Sequence, residues 1–213
     1  IDLEDAKSKI TERTRAIMPV HYAGDLGNYE GIYDLAGLHK LRVIEDAAHS
    51  FGGKRNGSYI GSFGDIVCFS FDGIKNITAG EGGCVTTNDL NIINKINDAR
   101  LLGVHKDTEK RFSGQRSWEF DVFEKGWRYH MSDIMASIGS CQLKKLDRFS
   151  KLRQNLAIYY DMRLKFFDEL SIFERDYKSI VPHIYPIKLS NKINREELKL
   201  YLEERGVQTG IHY

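Results

Sequence analysis

Short apolar runs alternate along the chain with segments of helical or polar pattern. The runs predict buried strands, and they are Ala16–Val20, Leu41–Ile44, Ile66–Phe71 and Cys84–Thr87. A polar segment at 2–13, and segments with apolar residues every three or four positions at 29–39 and 90–102, predict helices. Such alternation is typical of an α/β fold.

The later part of the chain has a different pattern. From Met131 to Phe167 apolar residues recur at helical spacing, which predicts one long helix or two helices in line, with Ser132 as the N-cap. The tail predicts a strand, a helix and a strand, at Val181–Leu189, Asn194–Arg205 and Val207–Tyr213. We expect this small α+β unit to belong to a second domain.

Composition and charge exclude several classes of protein. Of the 213 residues 41% are apolar and 29% are charged, the balance of an ordinary globular protein. The formal net charge of +1 does not indicate a nucleic-acid partner, and apolar runs of only about five residues predict no membrane span. Cys68, Cys84 and Cys141 are far apart and lack zinc-site spacing, so we expect a reducing, cytoplasmic location and no metal.

Both ends of the chain are unusual for a complete protein. Residue 1 is Ile rather than Met, no secretory signal follows, and the chain stops at Tyr213 inside a predicted strand. We therefore expect this chain to be part of a longer protein.

Polar clusters stand at or just after predicted strand ends, where open α/β sheets bind ligands. They are Glu45–His49, Ser70–Lys75 and Thr78–Gly83. Taken singly, each has a structural explanation: Asp46 as a helix N-cap, Lys75 as a solvated loop lysine, and the glycines as a plain turn.

Together the clusters supply the groups that pyridoxal phosphate (PLP) chemistry requires. A lysine forms a Schiff base with the cofactor's aldehyde. A carboxylate keeps the pyridine nitrogen protonated, so that the ring accepts electrons from the substrate carbanion. Hydroxyl and backbone N–H groups hold the phosphate.

Four segments resemble PLP-dependent sugar aminotransferases of the DegT/StrS type, in order and over essentially the whole chain. They are Ile44–Asp89, Pro19–Gly24, Gly126–Leu143 and Gly206–Tyr213. The resemblance implies the fold-type I architecture, an α/β PLP-binding large domain with a smaller C-terminal domain. Residues 1–130 would be part of the large domain, and residues 131–213 the connecting long helix and part of the small domain.

The resemblance also assigns roles to single residues. Lys75 matches the Schiff-base lysine, which also carries the proton between substrate and cofactor carbons. Asp46 matches the carboxylate that pairs with the pyridinium nitrogen, and Ser70 the hydroxyl on the PLP phosphate. His49 stands where many relatives have Gln near the PLP ring; it either bonds the phenolic oxygen or has a structural role.

Two basic residues keep several interpretations. Arg128 stands where many relatives have an Asn that reaches the partner subunit's PLP phosphate. Arg128 could bind the same phosphate, face a substrate diphosphate, or form a surface ion pair. His21 follows a predicted strand and either lines the same cleft or is a core histidine.

Parts of the family pattern fall outside this sequence. The family's N-terminal loop that cups the phosphate, its aromatic ring that stacks on PLP, and the end of the small domain are all missing from residues 1–213. We expect these residues alone to bind PLP poorly, or to need the remainder of the protein in order to fold.

The resemblance implies transamination from an amino donor, usually glutamate in this family, to a nucleotide-linked keto sugar in a homodimer. The first alternative is a sugar 3-dehydratase of the same family, in which His replaces the lysine; the presence of Lys75 favours transamination. The second is a non-catalytic fragment. The chain ends favour it, and the intact set of Asp46, Ser70 and Lys75 opposes it.

Overall fold

The computed structural model describes residues 1–105, 113–114, 120–122 and 124–212. The helices within these ranges are α1 (Leu3–Ser8), α2 (Tyr29–Leu38), α3 (Leu90–Ala99), α4 (Asp133–Leu143), α5 (Leu146–Leu164) and α6 (Arg195–Glu203). The strands are β1 (Ala16–Ile17), β2 (Arg42–Asp46), β3 (Lys54–Arg55), β4 (Ser58–Tyr59), β5 (Ile66–Ser70), β6 (Gly83–Thr87), β7 (Leu170–Ile172) and β8 (Ile187–Leu189).

A four-stranded mixed sheet organises the first half of the chain. Its order is β1-β2-β5-β6, with β1, β2 and β5 parallel and β6 antiparallel to β5. Two small antiparallel pairs, β3 with β4 and β7 with β8, stand apart from it. The architecture is α/β, as the alternating pattern predicted.

Strand β2 divides its side chains between the two faces of the sheet. Val43 and Glu45 are buried on one face, where Ile32 and Ala36 of α2 pack against Val43. Ile44 and Asp46 point to the opposite face by the same alternation. A second apolar cluster joins Val67 and Phe69 of β5 to Ala47 and Ile60.

Several predicted elements are shorter than their patterns indicated. The Ala16–Val20 run pairs only over Ala16–Ile17, because Pro19 has no N–H to donate; Val20 returns to the sheet through a single bridge to Asp46. The helix predicted over 2–13 ends at Ser8. The long helical pattern is two helices in line, α4 and α5, and the Ser132 hydroxyl accepts a bond from the Met135 amide at 3.3 Å, as an N-cap does.

The tail departs most from its predicted structure. Only Ile187–Leu189 of the strand predicted from Val181 onward forms a strand. Residues 207–212 form no strand, and Tyr213 lies outside the described residues. Among the described helices, none is both long and apolar enough to cross a membrane.

A buried segment at 180–183 replaces the first part of the predicted strand. Side chains of α5 hold it: Gln154 donates to the Ile180 carbonyl at 3.1 Å, and Arg153 donates to the His183 carbonyl at 3.1 Å. On its other side the segment meets the turn at Gly24, where a Cβ would lie 2.9 Å from the Val181 carbonyl oxygen. The segment is thereby fixed against the ends of the central strands.

Candidate active site

Two predicted site residues end neighbouring parallel strands. Asp46 is the last residue of β2 and Ser70 the last of β5, and Asp46 lies in register with Cys68. The Ala47 amide bonds the Cys68 carbonyl at 2.8 Å, which continues the pairing past Asp46. The carboxyl ends of both strands therefore open on the same edge of the sheet, the position where α/β sheets bind ligands.

The backbone of Asp46 is held on both sides. Its amide donates to the Pro19 carbonyl and its carbonyl accepts from the His21 amide, both at 2.9 Å. One carboxylate oxygen, Oδ1, accepts a bond from the Ala48 amide at 3.1 Å. Within the described residues no donor bonds the second oxygen, which leaves it free for a ligand.

His49 is nearly buried, with 5% of its surface exposed, and its proton position follows from one contact. The Ala23 amide donates to Nδ1 at 3.3 Å, from a short turn at Tyr22–Gly24 in which Ala23 has a left-handed φ of 56°. Because Nδ1 accepts this bond, the neutral ring carries its proton on Nε2. His49 is therefore a hydrogen-bond donor through Nε2.

The surroundings of His49 connect it to other predicted residues. Burial is the main cause that lowers the pKa of His49 to about 4; the positive charges of Lys75 and His212 add to it, and the negative charge of Asp46 opposes it. These electrostatic effects require short separations. The charges of Asp46 and Lys75 therefore act on the His49 ring, and the histidine is neutral at pH 7.

Lys75 lies between β5 and β6 in a loop that is held by hydrogen bonds among its own residues. Its amide donates to the Asp72 carbonyl at 3.1 Å, and the Asp72 amide donates to the Ser70 hydroxyl at 3.3 Å. The Ala79 amide and the Thr78 hydroxyl both bond the Phe71 carbonyl. Lys75 is half-buried, and Ser70 is coupled to its loop through Asp72.

Asn76 anchors this loop and was missed by the sequence analysis. It is 4% exposed, and its amide nitrogen donates to the Phe51 carbonyl at 2.9 Å and to the Val181 carbonyl at 3.2 Å. No local pattern distinguishes an anchoring Asn from a turn Asn, because both bonds reach residues distant in sequence.

Arg128 is not part of this cluster. Its side chain is exposed, and its backbone lies in an extended segment bridged to Leu101, with the Leu102 amide bonded to the Trp127 carbonyl at 3.0 Å. Among the described contacts, none joins Arg128 to Asp46 or Lys75.

His21 is a core histidine, one of the two interpretations that its position allowed. It is 1% exposed; Nε2 lies 2.9 Å from Oε2 of Glu45, and Nδ1 lies 2.9 Å from the Ser50 hydroxyl. The Tyr33 hydroxyl donates to the other oxygen of Glu45 at 2.6 Å. A Cβ at Gly64 would come within 2.4 Å of that oxygen, so a glycine is required beside it. Alternation along β2 turns Glu45 to the face opposite Asp46, and the pair is buried in the core.

Two further histidines, which the sequence analysis gave no role, lie beside His49. The ring centroid of His49 is 4.4 Å from that of His183 and 4.9 Å from that of His212. His183 is carried by the buried segment at 180–183 and is 7% exposed. The cluster combines a carboxylate, a primary amine and imidazole N–H donors at one sheet edge.

Comparison with known proteins identifies the class to which this fold and site belong. The described structure matches Helicobacter pylori PseC, an aminotransferase involved in the biosynthesis of pseudoaminic acid, with a TM-score of 0.89 and 29% identity over 100% of this chain and 56% of that one. In sequence the chain is 40% identical to an uncharacterized protein of Methanocaldococcus jannaschii and 34% identical to the spore coat polysaccharide biosynthesis protein SpsC of Bacillus subtilis. Both alignments cover 100% of this chain and 56% of the relative.

The model of the DegT/DnrJ/EryC1/StrS aminotransferase family matches residues 1–213, and the chain belongs to this family. The resemblance seen in the sequence is thereby confirmed, and so is the fold class. The family's aminotransferases depend on PLP. The chain spans about half the length of the curated relatives that it matches.

Proposed function

We propose that this chain carries the cofactor-binding and catalytic residues of a PLP-dependent sugar aminotransferase, with Lys75 as the residue that bonds the cofactor. The observation that supports it best is the convergence of Lys75, Asp46 and His49 at the carboxyl ends of β2 and β5. Ser70 ends β5 at the same edge.

The donor set fits PLP group by group. Asp46 has a carboxylate oxygen that no described donor bonds, as a partner for the pyridinium nitrogen requires. His49 offers an N–H on Nε2 to the phenolic oxygen. Lys75 offers a primary amine to the aldehyde, and the Ser70 hydroxyl offers a hydrogen bond to the phosphate.

Each residue then has a defined task. PLP, when bound, supplies an aldehyde and an electron-accepting ring. Asp46 would hold the proton on the ring nitrogen, and His49 would orient the ring through its oxygen. Lys75 would bond the cofactor before substrate arrives, and its amine would then carry a proton between substrate and cofactor carbons. Its loop keeps its amine near that path because Asn76 anchors the loop at two carbonyls.

The finer assignment concerns the substrates. We infer that glutamate is the amino donor and that a nucleotide-linked keto-deoxy sugar is the acceptor, in amino-sugar synthesis for a surface polysaccharide or glycoconjugate in the cytoplasm. The names of SpsC and PseC support a sugar-biosynthetic role. We infer a homodimer in which the exposed Arg128 reaches the partner subunit's cofactor phosphate; a substrate diphosphate or a surface ion pair are its other assignments.

The alternatives predict different chemistry. A sugar 3-dehydratase of this family has His in place of the lysine, so Lys75 favours amino transfer. A non-catalytic fragment has no need to keep Asp46, His49 and Lys75 together. Product analysis separates amino transfer from dehydration: an amino sugar supports the proposal, and a dehydrated keto sugar supports the 3-dehydratase.

The direct test is a borohydride trap on the full-length protein. PLP is added, the protein is reduced and digested, and the pyridoxyl group is located by mass spectrometry. We expect the label on Lys75, and no specific label on Lys54, an exposed lysine of β3. A folded protein that carries no label on Lys75 would contradict the proposal.

A further inference from the structure

Three histidine rings from distant parts of the chain meet beside Lys75. His49 follows β2, His183 belongs to the buried segment at 180–183, and His212 is near the end of the chain. The ring of Tyr22 lies next to them, with its centroid 5.8 Å from that of His212. We call His49, His183 and His212 the histidine cluster.

His183 is the unusual member of the cluster. Both of its ring nitrogens are buried and have no hydrogen-bond partner within the described residues, although only 7% of the residue is exposed. Either neutral tautomer has one N–H to donate and one lone pair to fill. Buried polar atoms nearly always have a partner. A partner for His183 must therefore come from outside the described protein atoms.

The charges around His183 select the kind of partner. Burial is the main cause that lowers the pKa of His183 to about 3, and the charged forms of His49, Lys75, Arg153 and His212 lower it further. At pH 7 the positive potential comes from Lys75 and Arg153, because His49 is neutral. Within the described residues no carboxylate opposes these charges at His183. A buried N–H donor in a positive potential is suited to an anion with oxygen acceptors.

The fold holds this donor in place before any ligand arrives. Arg153 donates to the carbonyls of Pro182 and His183 at 3.4 and 3.1 Å, and Asn76 bonds the Val181 carbonyl from the other side. The Ala23 amide fixes the tautomer of the neighbouring His49. Donors held in this way bind without a large ordering cost.

We propose that His183, within the histidine cluster, donates its N–H to an oxyanion that binds beside Lys75. The oxyanion has two possible sources, the carboxylate of the amino donor or the phosphate of the cofactor. The choice between these sources rests on the proposed function; the site itself requires only an oxyanion.

The test follows the imidazole resonances of His183 by NMR at pH 7 as each probe is titrated into full-length protein freed of cofactor. Succinate serves as the carboxylate probe, inorganic phosphate as the phosphate probe, and chloride as the control for ionic strength. A bound oxyanion accepts the N–H of neutral His183, so we expect the ring resonances to shift with the effective probe and to saturate as its concentration rises. An effect of succinate alone identifies a carboxylate, and an effect of phosphate that competes with succinate identifies a phosphate.

Variants supply the second arm of the test. His183→Phe should weaken binding of the effective probe about tenfold or more, since it loses a hydrogen bond to a charged group. His183→Gln keeps an N–H donor and should retain most of the affinity, and His39→Phe, at the exposed end of α2, should change nothing. Probes that leave the wild-type resonances unmoved overturn the proposal whether or not the variants fold. An equal response to chloride would mean that the site holds an adventitious ion only, and it would also overturn the proposal. Labelling of Lys75 by the borohydride trap is independent of both results.

Discussion

The side-chain amide of Asn76 donates to the backbone carbonyl of Val181, 105 residues further along the chain, at 3.2 Å. The same nitrogen donates to the Phe51 carbonyl at 2.9 Å. One buried side chain therefore joins the loop of Lys75 to the buried segment that carries His183. The geometry of the lysine and that of the histidine cluster are therefore coupled through this amide group.

Asn76→Ala removes both bonds and leaves two carbonyls without their donor. We expect the free energy of unfolding to fall by about 2 kcal/mol or more, because unsatisfied buried groups are costly. Chemical denaturation measures it. Asn91→Ala, at an exposed position in the first turn of α3, is the matched control and should have little effect. Equal stability of the two variants would mean that Asn76 does not anchor the loop.

Lys75→Ala should abolish transamination and, independently, raise the pKa of His49 above its value of about 4, because the positive charge of Lys75 lowers it. NMR titration of the His49 ring measures the shift without any cofactor. Lys54→Ala is the matched control for both readouts. More than trace turnover in Lys75→Ala would exclude the assigned role.

Asp46→Ala should act in the opposite electrostatic direction. The carboxylate raises the pKa of His49, so its removal should lower that pKa further. Loss of the partner for the ring nitrogen should also reduce the transamination rate by orders of magnitude. An unchanged rate would show that another carboxylate has this role.

Stability should depend on pH through His49. Its pKa in the folded protein, about 4, lies below the ordinary value of 6.5, so between these values the unfolded chain binds the proton and the folded chain does not. The contribution of His49 to stability is therefore complete above about pH 6.5 and is lost as the pH falls toward 4. Urea unfolding across this range should show a smaller pH dependence in His49→Gln than in wild type, with His39→Gln as control. A variant that retains the full wild-type pH dependence would contradict this expectation.

Glu45→Ala tests the buried pair of His21 and Glu45. The substitution leaves His21 without its partner at 2.9 Å and removes the acceptor of the Tyr33 hydroxyl. We expect the free energy of unfolding to fall by about 2 kcal/mol or more, because buried polar groups lose their partner. Glu12→Ala, at an exposed position, is the control. A loss within 1 kcal/mol, roughly the scale of a surface ion pair, would mean that the pair does not stabilise the fold.

Sequence patterns predicted the elements whose signals are local. The apolar runs that became β2, β5 and β6, and the period that became α2, fall within one or two residues of the observed bounds. The β3–β4 hairpin was missed, although the dipeptide Asn56-Gly57 is a sequence signal for a tight hairpin turn. In the structure both residues take the positive φ that such a turn requires, 49° and 81°.

Other features had no local signal. Ile180–His183 has the apolar composition of a strand, yet it is a buried irregular segment, because Gln154, Arg153 and Asn76 supply the hydrogen bonds that a neighbouring strand would have supplied. The sequence left open whether His21 lies in the cleft or in the core, because its core position follows from its contact with Glu45. Alternation along β2 places Glu45 on the buried face, but only the packed structure brings His21 to it.

The sequence by itself determined the main strands and helices of the central sheet, the α/β class, and the family, because these follow from local periodicity and from motifs that keep their order along the chain. Only the tertiary structure decided that Asn76 anchors the Lys75 loop, that His49, His183 and His212 meet, and that Arg128 lies apart from them. Those relations join residues up to 163 positions apart, between His49 and His212, and no local pattern encodes a contact at that separation. They arise when the sheet, α5 and the segment at 180–183 pack together and each buried polar group requires a partner.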